Sequence, residues 1–181
     1  GKTTLTKKLA ENNFDFEISI SHTTRKPRPN EVNGVDYNFI SQEEFKRLIN
    51  QGEFYEYAKI FDNYYGTLKK TVDDLIVIND IIFDIDWQGT KQLSQFDNLR
   101  LIKIYLIPPN KDELKKRLIK RNLDSEIEVE KRFKAFDDDV KHWKDYDYVL
   151  INENLENCYK QIERIISIHK QLDLNYSQII Q

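Results

Sequence analysis

The sequence has no methionine, a single cysteine and no long apolar run. One cysteine, Cys158, excludes an internal disulfide framework and suits a reducing compartment. Cys158 and the three histidines lack the spacing of a metal site, so we interpret them as surface or structural residues. Because no apolar run approaches the ~18 residues of a membrane-spanning helix, the sequence predicts no membrane partner.

The sequence also has little excess of charge of either sign, since the formal net charge is only −3. A protein without a bulk positive field is not drawn to nucleic acid, so no nucleic-acid partner is predicted. The dense basic cluster near a turn is TTRKPRP, and local positive charge in an acidic protein indicates a small anionic ligand. The length of 181 residues, with 39% hydrophobic and 33% charged residues, fits one compact globular domain.

Short apolar runs alternate with helical patterns along most of the chain. Runs rich in β-branched and aromatic residues predict buried strands at 80–86, 101–107 and 148–151, with 16–21 as a fourth. This alternation predicts a parallel α/β sheet. Residues 30–68 differ because they are rich in aromatic residues and partly alternate between apolar and polar, which predicts a small inserted lobe of strands.

Capping signals place the helices. Ser41, Asn110 and Ser125 each stand at the start of a helical pattern, and Gly52 follows the end of the first of these. Another helix is predicted to run from the start of the chain to about Asn12, and the C-terminal stretch ENCYKQIERIISIHKQL has helical periodicity.

The chain begins with Gly1-Lys2-Thr3-Thr4, the end of the phosphate-binding pattern G-x-x-x-x-G-K-[ST]. In that pattern backbone N–H groups hold phosphates, the lysine reaches the β- and γ-phosphates and the hydroxyl holds Mg²⁺. The position before an amphipathic helix in an alternating chain supports this interpretation, and a chance match is the alternative that the motif alone leaves open. The motif then predicts that the protein extends upstream by about 10–25 residues, with an apolar strand leading into the first glycine.

The basic cluster places Arg25, Lys26 and Arg28 within four residues, interleaved with two prolines. The prolines stiffen the segment, so the cations are held in place. Two arginines on a stiff loop can bind a phosphate dianion bidentately, and the Tyr37 hydroxyl could join them. The alternative from composition alone is a solvated basic loop.

The segment TTRKPRPNEVNGVDYNFI resembles the guanylate kinase signature T-[ST]-R-x-x-[KR]-x-x-[DE]-x-x-G-x-x-Y-x-[FY]. Every specified position matches, namely Thr23, Thr24, Arg25, Arg28, Glu31, Gly34, Tyr37 and Phe39. Four further strings resemble the same family in the same order: FDNYYGT (61–67), FDIDWQG (83–89), IPP (107–109) and KKRLIKR (115–121). The resemblance covers essentially the whole chain.

The resemblance implies an α/β fold with a P-loop NTPase-type parallel sheet flanked by helices. It implies a core nucleotide-binding domain from 1–29, 69–116 and 133–181, an inserted strand-rich GMP-binding lobe at 30–68 and a helical lid at 117–132. It also implies a cytoplasmic enzyme of purine metabolism that transfers the γ-phosphoryl group of ATP to GMP. Transfer would be direct and in line, with Mg²⁺ as the cofactor and no covalent intermediate.

Family correspondence assigns Arg25, Arg28, Tyr37 and Tyr65 to the GMP phosphate. It places the Glu56 carboxylate opposite the N1–H and N2 donors of guanine, with Ser21 and Thr67 near O6 and Asp86 near the guanine edge. A carboxylate at this place rejects adenine, whose N1 carries no proton, and such polar recognition discriminates strongly. Without the resemblance, Glu56 would be interpreted as an exposed strand residue.

The same correspondence assigns the ATP and metal sites. Gly1, Lys2, Thr3, Thr4 and Asn152 would bind ATP. Thr3 and Asp84 would hold Mg²⁺, since a carboxylate at the carboxyl end of a parallel strand is where P-loop folds bind the ion. Asp84 and Asp86 alternate with one residue between them, so we expect both to line one cleft.

The lid resemblance assigns catalytic roles to arginines. Lys2, Arg117, Arg121 and Arg132 would neutralise charge at the transferring phosphoryl group. Arg117 and Arg121 are four residues apart and share a helix face, a spacing that a charged, solvated helix would also show. The sequence departs from the family at Asn122, where a glycine usually follows the second arginine; asparagine tolerates the left-handed conformation, so we expect the hinge to survive.

Two alternatives stand beside the kinase. One is a non-catalytic, guanylate-kinase-like scaffold module that binds phosphorylated proteins; such modules typically lose the P-loop lysine and the lid arginines, which are present here. The other is a nucleoside monophosphate kinase with a different base preference, against which the carboxylate at Glu56 and the full signature argue.

Overall fold

The computed structural model describes residues 1–13, 15–120 and 126–180. Its elements follow in the order α1 (Lys2–Asn12), β1 (Phe16–Ile18), β2 (His22–Thr23), β3 (Asn38–Phe39), α2 (Gln42–Asn50), β4 (Phe54–Ile60), β5 (Asn63–Leu68), α3 (Lys69–Leu75), β6 (Asp80–Ile82), α4 (Trp87–Leu93), β7 (Ile104–Ile107), α5 (Lys111–Lys120), α6 (Glu126–Asp139), a 3₁₀ helix (Val140–Asp145), β8 (Tyr148–Ile151) and α7 (Leu155–Ile180). Strands and helices alternate from β6 onward, as an α/β fold requires.

The strands predicted for the core run parallel, as expected, and they form two pairs. β1 pairs with β6, with Ile18 opposite Ile82, and β7 pairs with β8, with Ile104 opposite Tyr148. Among the described residues no strand pairs with both β6 and β7. A cavity of about 790 Å³ lies between the two pairs, and its apolar lining includes Ile82 and Ile104. The apolar strand expected upstream of Gly1 stays a prediction.

Three predicted strands are shorter than the apolar runs that indicated them, and the first, β1, ends at Ile18 rather than at residue 21. β6 ends at Ile82 rather than at residue 86, and β7 begins at Ile104 rather than at residue 101. After Ile82 the chain leaves the β1 pairing, because Asp84 and Asp86 turn their carboxylates to hydrogen-bond donors on α1 and α4. β8 occupies the predicted residues.

The aromatic region at 30–68 supplies three strands of a four-stranded sheet in the order β3-β2-β5-β4, and the fourth strand, β2, comes from upstream of the predicted lobe. β4 and β5 form an antiparallel hairpin with a bulge between Phe54 and Glu56. The side chain of Phe45, on α2, is fully buried and stacks on Phe54 and Tyr64 at centroid distances of 4.6 and 5.4 Å. The aromatic residues that marked this segment in the sequence therefore supply its core.

The predicted capping residues begin their helices. The hydroxyl oxygen of Ser41 accepts a hydrogen bond from the backbone N–H of Glu44 at 3.1 Å, and the Asn110 side chain accepts one from the N–H of Glu113 at 2.8 Å. Gly52 follows α2 with a φ of 71°, a left-handed conformation that suits glycine. The cap expected at Ser125 lies outside the described residues.

Helix α7 packs against α1 and the parallel strands, which gives the core its main apolar cluster. The cluster contains Leu5, Leu9, Cys158, Tyr159 and Ile162, with Ile82, Ile104, Leu106, Leu150 and Ile166 packed against it. Because Leu5 and Leu9 lie four residues apart on α1, this packing fixes which face of α1 points to the core. The residues that precede Leu5 are exposed.

The four-stranded sheet is joined to the core through α4. The Gln92 side chain accepts a hydrogen bond from the backbone N–H of Tyr57 at 3.1 Å and donates one to its carbonyl oxygen at 2.8 Å. One side chain thereby satisfies both backbone groups of a β4 residue, much as a neighbouring strand would. Helix α4 is consequently held at a defined distance from β4.

Substitution of Phe45 should test the aromatic core. Phe45→Ala should lower the free energy of unfolding by about 3–5 kcal/mol, because it leaves a cavity between two stacked rings. Urea unfolding measures the change. Val77→Ala, at a side chain that is 82% exposed, is the control and should stay within about 0.5 kcal/mol. If both variants lost equally little, Phe45 would not be a core residue.

Candidate active site

The first turn of α1 meets the loop after β6. The Thr3 hydroxyl donates a hydrogen bond to Oδ2 of Asp84 at 2.6 Å. Lys2 Nζ lies 3.6 Å from Oδ1 of the same carboxylate and donates to the carbonyl oxygen of Ile85 at 2.7 Å. A hydroxyl, an ammonium and a carboxylate are thus brought together from residues more than 80 positions apart. Thr4 lies on the exposed side of the same turn.

The donor set of Thr3 and Asp84 fits Mg²⁺, which prefers hard oxygen ligands and usually retains waters and phosphate oxygens. Within the described parts of the chain, no group of three or more His, Cys, Asp or Glu side chains could hold a metal ion by itself. A site with one hydroxyl and one carboxylate therefore suits an ion that arrives with a nucleotide.

Asp86 lies two residues after Asp84 and caps α4. Its Oδ1 accepts hydrogen bonds from the backbone N–H groups of Gln88 and Gly89 at 2.9 and 3.0 Å. Both aspartates line the cavity between the strand pairs, as the alternation predicted. The strand ends before them, however, so their common direction comes from the separate contacts that each makes with a helix start.

The basic loop is ordered by an ion pair. Arg25 donates from Nη1 and Nη2 to the two carboxylate oxygens of Glu31 at 2.8 and 2.9 Å. The guanidinium carbon lies 5.3 Å from the ring centre of Tyr37, whose own ring contacts Tyr65 at 6.0 Å. Arg28 Nη1 lies 3.8 Å from Glu31. Of the four residues assigned to a phosphate by resemblance, Arg25, Tyr37 and Tyr65 are therefore in direct contact, and Arg28 joins them through Glu31.

Burial keeps the tyrosine of this group protonated. Burial, followed by the negative charge of Asp84, raises the pKa of the Tyr37 hydroxyl. A protonated phenol can donate a hydrogen bond to an anionic oxygen near neutral pH.

A carboxylate lies buried beside this group. Glu56, on β4, is only 3% exposed, and Thr67, opposite it on β5, is 1% exposed. Burial raises the pKa of Glu56 to about 7; hydrogen bonds from Thr67 oppose the rise and the charge of Asp86 adds to it. The hydroxyl oxygens of Ser21 and Thr67 are 3.5 Å apart. The residues assigned to the guanine base therefore form one small polar pocket.

Gly89 makes the position of this carboxylate possible. A Cβ atom on Gly89 would lie 2.6 Å from Oε2 of Glu56 and 3.3 Å from Cβ of Ile85. Only a residue without a side chain allows the first turn of α4 to approach Glu56 so closely. The string FDIDWQG contains this glycine, but the need for it is visible only in three dimensions.

The arginines that the resemblance assigns to the lid do not share one environment. Arg132 lines the cavity together with Lys2 and Asp84. Arg117 instead donates to the carbonyl oxygens of Asn152 and Glu153 at 2.7 and 3.3 Å, and to the Glu113 carboxylate at 2.8 Å. Arg121 lies outside the described residues.

Asn152 is 6% exposed and lies against the start of the chain. Its amide nitrogen would be 2.3 Å from a Cβ atom placed on Gly1. The structure therefore brings together Gly1, Lys2, Thr3 and Asn152, four of the five residues assigned to ATP by resemblance, with Thr4 on the adjacent exposed surface.

Nothing in the sequence indicated one carboxyl group near the site, that of Asp139. Asp139, at the end of α6, lines the cavity with Lys2 and Arg132; partial loss of solvent raises its pKa, and a hydrogen bond from Trp87 opposes the rise. The ring of Trp87 stacks face to face on His142 at 3.6 Å. Asp139 follows two other aspartates in the sequence, so its residue type gave no signal that it differs from its solvated neighbours.

These sites lie on one α/β framework. A lysine and a hydroxyl at a helix start face a carboxylate that follows a parallel strand, and a cationic loop adjoins a buried carboxylate. This combination defines a nucleotide-binding phosphotransferase of the P-loop type.

Comparisons with known proteins give the family. A sequence model described as guanylate kinase matches residues 1–169. A guanylate kinase from Clostridioides difficile strain 630 is 42% identical over 181 residues, covering 99% of this chain and 88% of the relative. One from Paramagnetospirillum magneticum strain AMB-1 is 39% identical over 171 residues, covering 94% and 80%. The chain belongs to the guanylate kinase family.

A solved structure agrees. The crystal structure of guanylate kinase from Anaplasma phagocytophilum superposes with a TM-score of 0.76 at 32% sequence identity, covering 93% of this chain and 81% of that one. The α/β fold predicted from the sequence is therefore confirmed. In the described ranges, no helix is long and apolar enough to cross a membrane.

Gly89 should be essential to the geometry around Glu56. Gly89→Ala should raise KM for GMP about tenfold, because the methyl group displaces the Glu56 carboxylate by a fraction of an ångström. Steady-state kinetics with each substrate varied in turn measure the effect. KM for ATP serves as the internal control and should change little. An unaltered KM for GMP would show that the pocket tolerates the displacement.

Proposed function

We propose that this guanylate kinase binds GMP through the pocket around Glu56 and the loop around Arg25, and binds ATP with Mg²⁺ at Lys2, Thr3 and Asp84. The observation that carries the proposal is the buried carboxylate of Glu56. An ionisable group with 3% exposure and a pKa raised to about 7 is costly to keep unless a ligand uses it.

Guanine suits this pocket. Its N1–H and N2 amino group are donors that an ionised Glu56 can accept, and its O6 is an acceptor for the hydroxyls of Ser21 and Thr67. Asp86, already an acceptor for two backbone N–H groups, lies close enough to Glu56 to affect its pKa and can contact the base edge. Adenine would leave the carboxylate unpaired.

The GMP phosphate would bind at the adjacent cations. Arg25 and Arg28 supply charge and directional donors, while Tyr37 and Tyr65 supply hydroxyls. Because Arg25 is held by its contacts before any ligand arrives, little side-chain freedom remains to be lost on binding.

The ATP side would be formed by the start of α1. Lys2 and the helix N–H groups would hold the phosphates, and Asn152 would lie toward the nucleotide because it contacts Gly1. Thr3 and Asp84 would hold Mg²⁺, which neutralises phosphate charge when bound. Phosphate binding would also give Lys2 a partner in place of the Ile85 carbonyl.

The transfer itself needs positioning and charge neutralisation rather than a protein nucleophile. The GMP phosphate is already a competent nucleophile near neutral pH, so no general base is required. Lys2 and Arg132, which line one cavity, would neutralise the transferring group, joined by Arg117 and Arg121. Closure of the lobe at 30–68 and the lid at 117–132 over the core would exclude water, which competes as acceptor.

Such an enzyme would act in the cytoplasm, where its nucleotide substrates are found. The test of the whole proposal is a coupled assay of ADP release with GMP, AMP, UMP and dTMP compared at equal concentration. Turnover confined to GMP supports it. Turnover with another nucleotide would favour a different base preference, and none at all would favour the scaffold module.

Lys2 should be required for turnover. Lys2→Met should lower kcat at least about 10³-fold, because a cation that stabilises the transferring phosphoryl group is lost. GMP affinity, measured by calorimetry, should stay within about twofold of wild type, since Lys2 lies on the ATP side. Rates of wild-type size in this variant would remove Lys2 from the mechanism.

Glu56 should make GMP use depend on pH. The ionised carboxylate accepts the two guanine donors, so kcat/KM for GMP should fall as pH drops below about 7, the pKa of the free enzyme. Glu56→Gln should remove this dependence and lower kcat/KM for GMP at pH 8 about 100-fold while sparing KM for ATP. The GMP phosphate also titrates in this pH range. The pH profile of Glu56→Gln contains that contribution without the one from Glu56, so it is the reference.

The stability of the ligand-free protein should change with pH in the direction opposite to kcat/KM for GMP. The native protein keeps the Glu56 proton up to about pH 7, whereas the unfolded chain releases it near its usual 4.5. Stability of the ligand-free protein should therefore decrease as pH rises through this window, by about 3 kcal/mol at most. Glu56→Gln should flatten that decrease in thermal unfolding. A profile identical to wild type, in kinetics and in unfolding, would mean that Glu56 does not titrate there.

A further inference from the structure

Glu31 occupies one edge of the Arg25 guanidinium. The two terminal nitrogens of Arg25 each donate to a different oxygen of Glu31, and Nη1 also donates to the carbonyl oxygen of Lys26 at 2.8 Å. The Arg25 side chain is 10% exposed and that of Glu31 is 18% exposed. This is a bidentate, partly desolvated pair, the arrangement in which geometry is most strongly fixed.

The third nitrogen of the Arg25 guanidinium, Nε, takes no part in the pair with Glu31. Arg25 Nε is buried and has no hydrogen-bond partner among the described residues. Tyr65 hydrogen-bonds the same guanidinium and, after burial and Glu31, helps to set its pKa, which is raised. Nε is enclosed by its neighbours, so the orientation of the guanidinium is fixed by the Glu31 carboxylate and by the ring of Tyr37.

Glu31 is itself held in place. Its Oε2 also accepts the backbone N–H of Arg28 at 2.7 Å, and Oε1 lies 3.8 Å from Nη1 of Arg28. Burial raises the pKa of Glu31, but the hydrogen bonds from Arg25 and Arg28 outweigh it and leave that pKa below its usual value. The carboxylate is therefore ionised near neutral pH, with both of its oxygens directed at the loop that carries the cations.

We propose that Glu31 is a positioning residue: it binds the terminal nitrogens of Arg25 and the backbone of Arg28, so that the basic loop presents its cations to the GMP phosphate in one orientation. The inference rests on the proposed role of Arg25 in that site. Glu31 does not touch GMP; it acts by holding a long, flexible cation in one orientation before the substrate arrives.

Charge repulsion and orientation predict opposite changes in KM for GMP when Glu31 is replaced by glutamine. A carboxylate near a phosphate repels it, so if charge alone mattered, Glu31→Gln would lower KM for GMP. If orientation matters, the same change raises KM, because the glutamine amide presents a donor to one of the Arg25 nitrogens and the bidentate pair is broken.

The experiment compares Glu31→Gln with wild type in steady-state kinetics. KM for GMP should rise about tenfold, with kcat and KM for ATP within about twofold. Glu31→Asp, which keeps the charge, should recover part of the loss. Glu44→Gln is the matched control: Glu44 accepts from Nε and Nη2 of Arg47 at 2.8 and 2.5 Å, yet this pair is exposed on α2, so KM should not change.

A double-substitution cycle separates the inference from the function that it rests on. Arg25→Ala alone should raise KM for GMP strongly, and adding Glu31→Gln to Arg25→Ala should raise it no further, because Glu31 then has nothing to orient. A strong Arg25→Ala effect with an unchanged or lowered KM in Glu31→Gln would overturn the positioning role and leave the phosphate site standing. No effect of Arg25→Ala would instead remove the phosphate role itself.

Folding must be monitored because Glu31 also accepts a backbone N–H. Thermal unfolding of each variant and GMP affinity by calorimetry, corrected for the folded fraction, give the comparison. If Glu31→Gln is folded and binds GMP as tightly as wild type, the proposal is wrong. If the folded fraction binds about tenfold more weakly, the effect is on the site rather than on stability.

Discussion

The geometry of the base pocket depends on one costly feature, the burial of the Glu56 carboxylate between a strand and the start of a helix. Three contacts make it tolerable: Thr67 hydrogen-bonds it, Gly89 lets α4 approach, and Gln92 fixes the distance between α4 and β4. Without a ligand the carboxyl group is half protonated near neutral pH. A base that offers two donors removes that cost, so burial supplies selectivity as well as affinity.

Cations at both of the proposed phosphate subsites are paired with carboxylates. Arg25 is bound by Glu31 on the GMP side, and Lys2 lies beside Asp84 on the ATP side. Lys7, on the same helix as Lys2, pairs at 2.7 Å with Asp36 of the loop that follows the basic segment. Each carboxylate holds its cation in a defined place and lowers the repulsion that clustered positive charge would cause, which suits a chain with a net charge of −3.

Local signals in the sequence predicted local structure well. Ser41 and Asn110 cap the helices that they were expected to begin, and β8 occupies the predicted residues, because capping and strand formation depend on neighbours within a few positions. The ends of β6 and β7 were misplaced, since an apolar run continues where pairing stops. Gly89 and Glu31 were matched to motifs without a role, because the atoms that they approach come from distant strands or from the far edge of a side chain.

Helix α4 is short, yet it contacts both the pocket around Glu56 and the segment that follows α6. On one face, Asp86 and Gly89 border the Glu56 pocket. On another, Trp87 stacks on His142, and Thr90 Oγ1 accepts a hydrogen bond from the Tyr146 hydroxyl at 3.1 Å. The pocket around Glu56 and the segment from His142 to Tyr146 are thus in contact with one short helix.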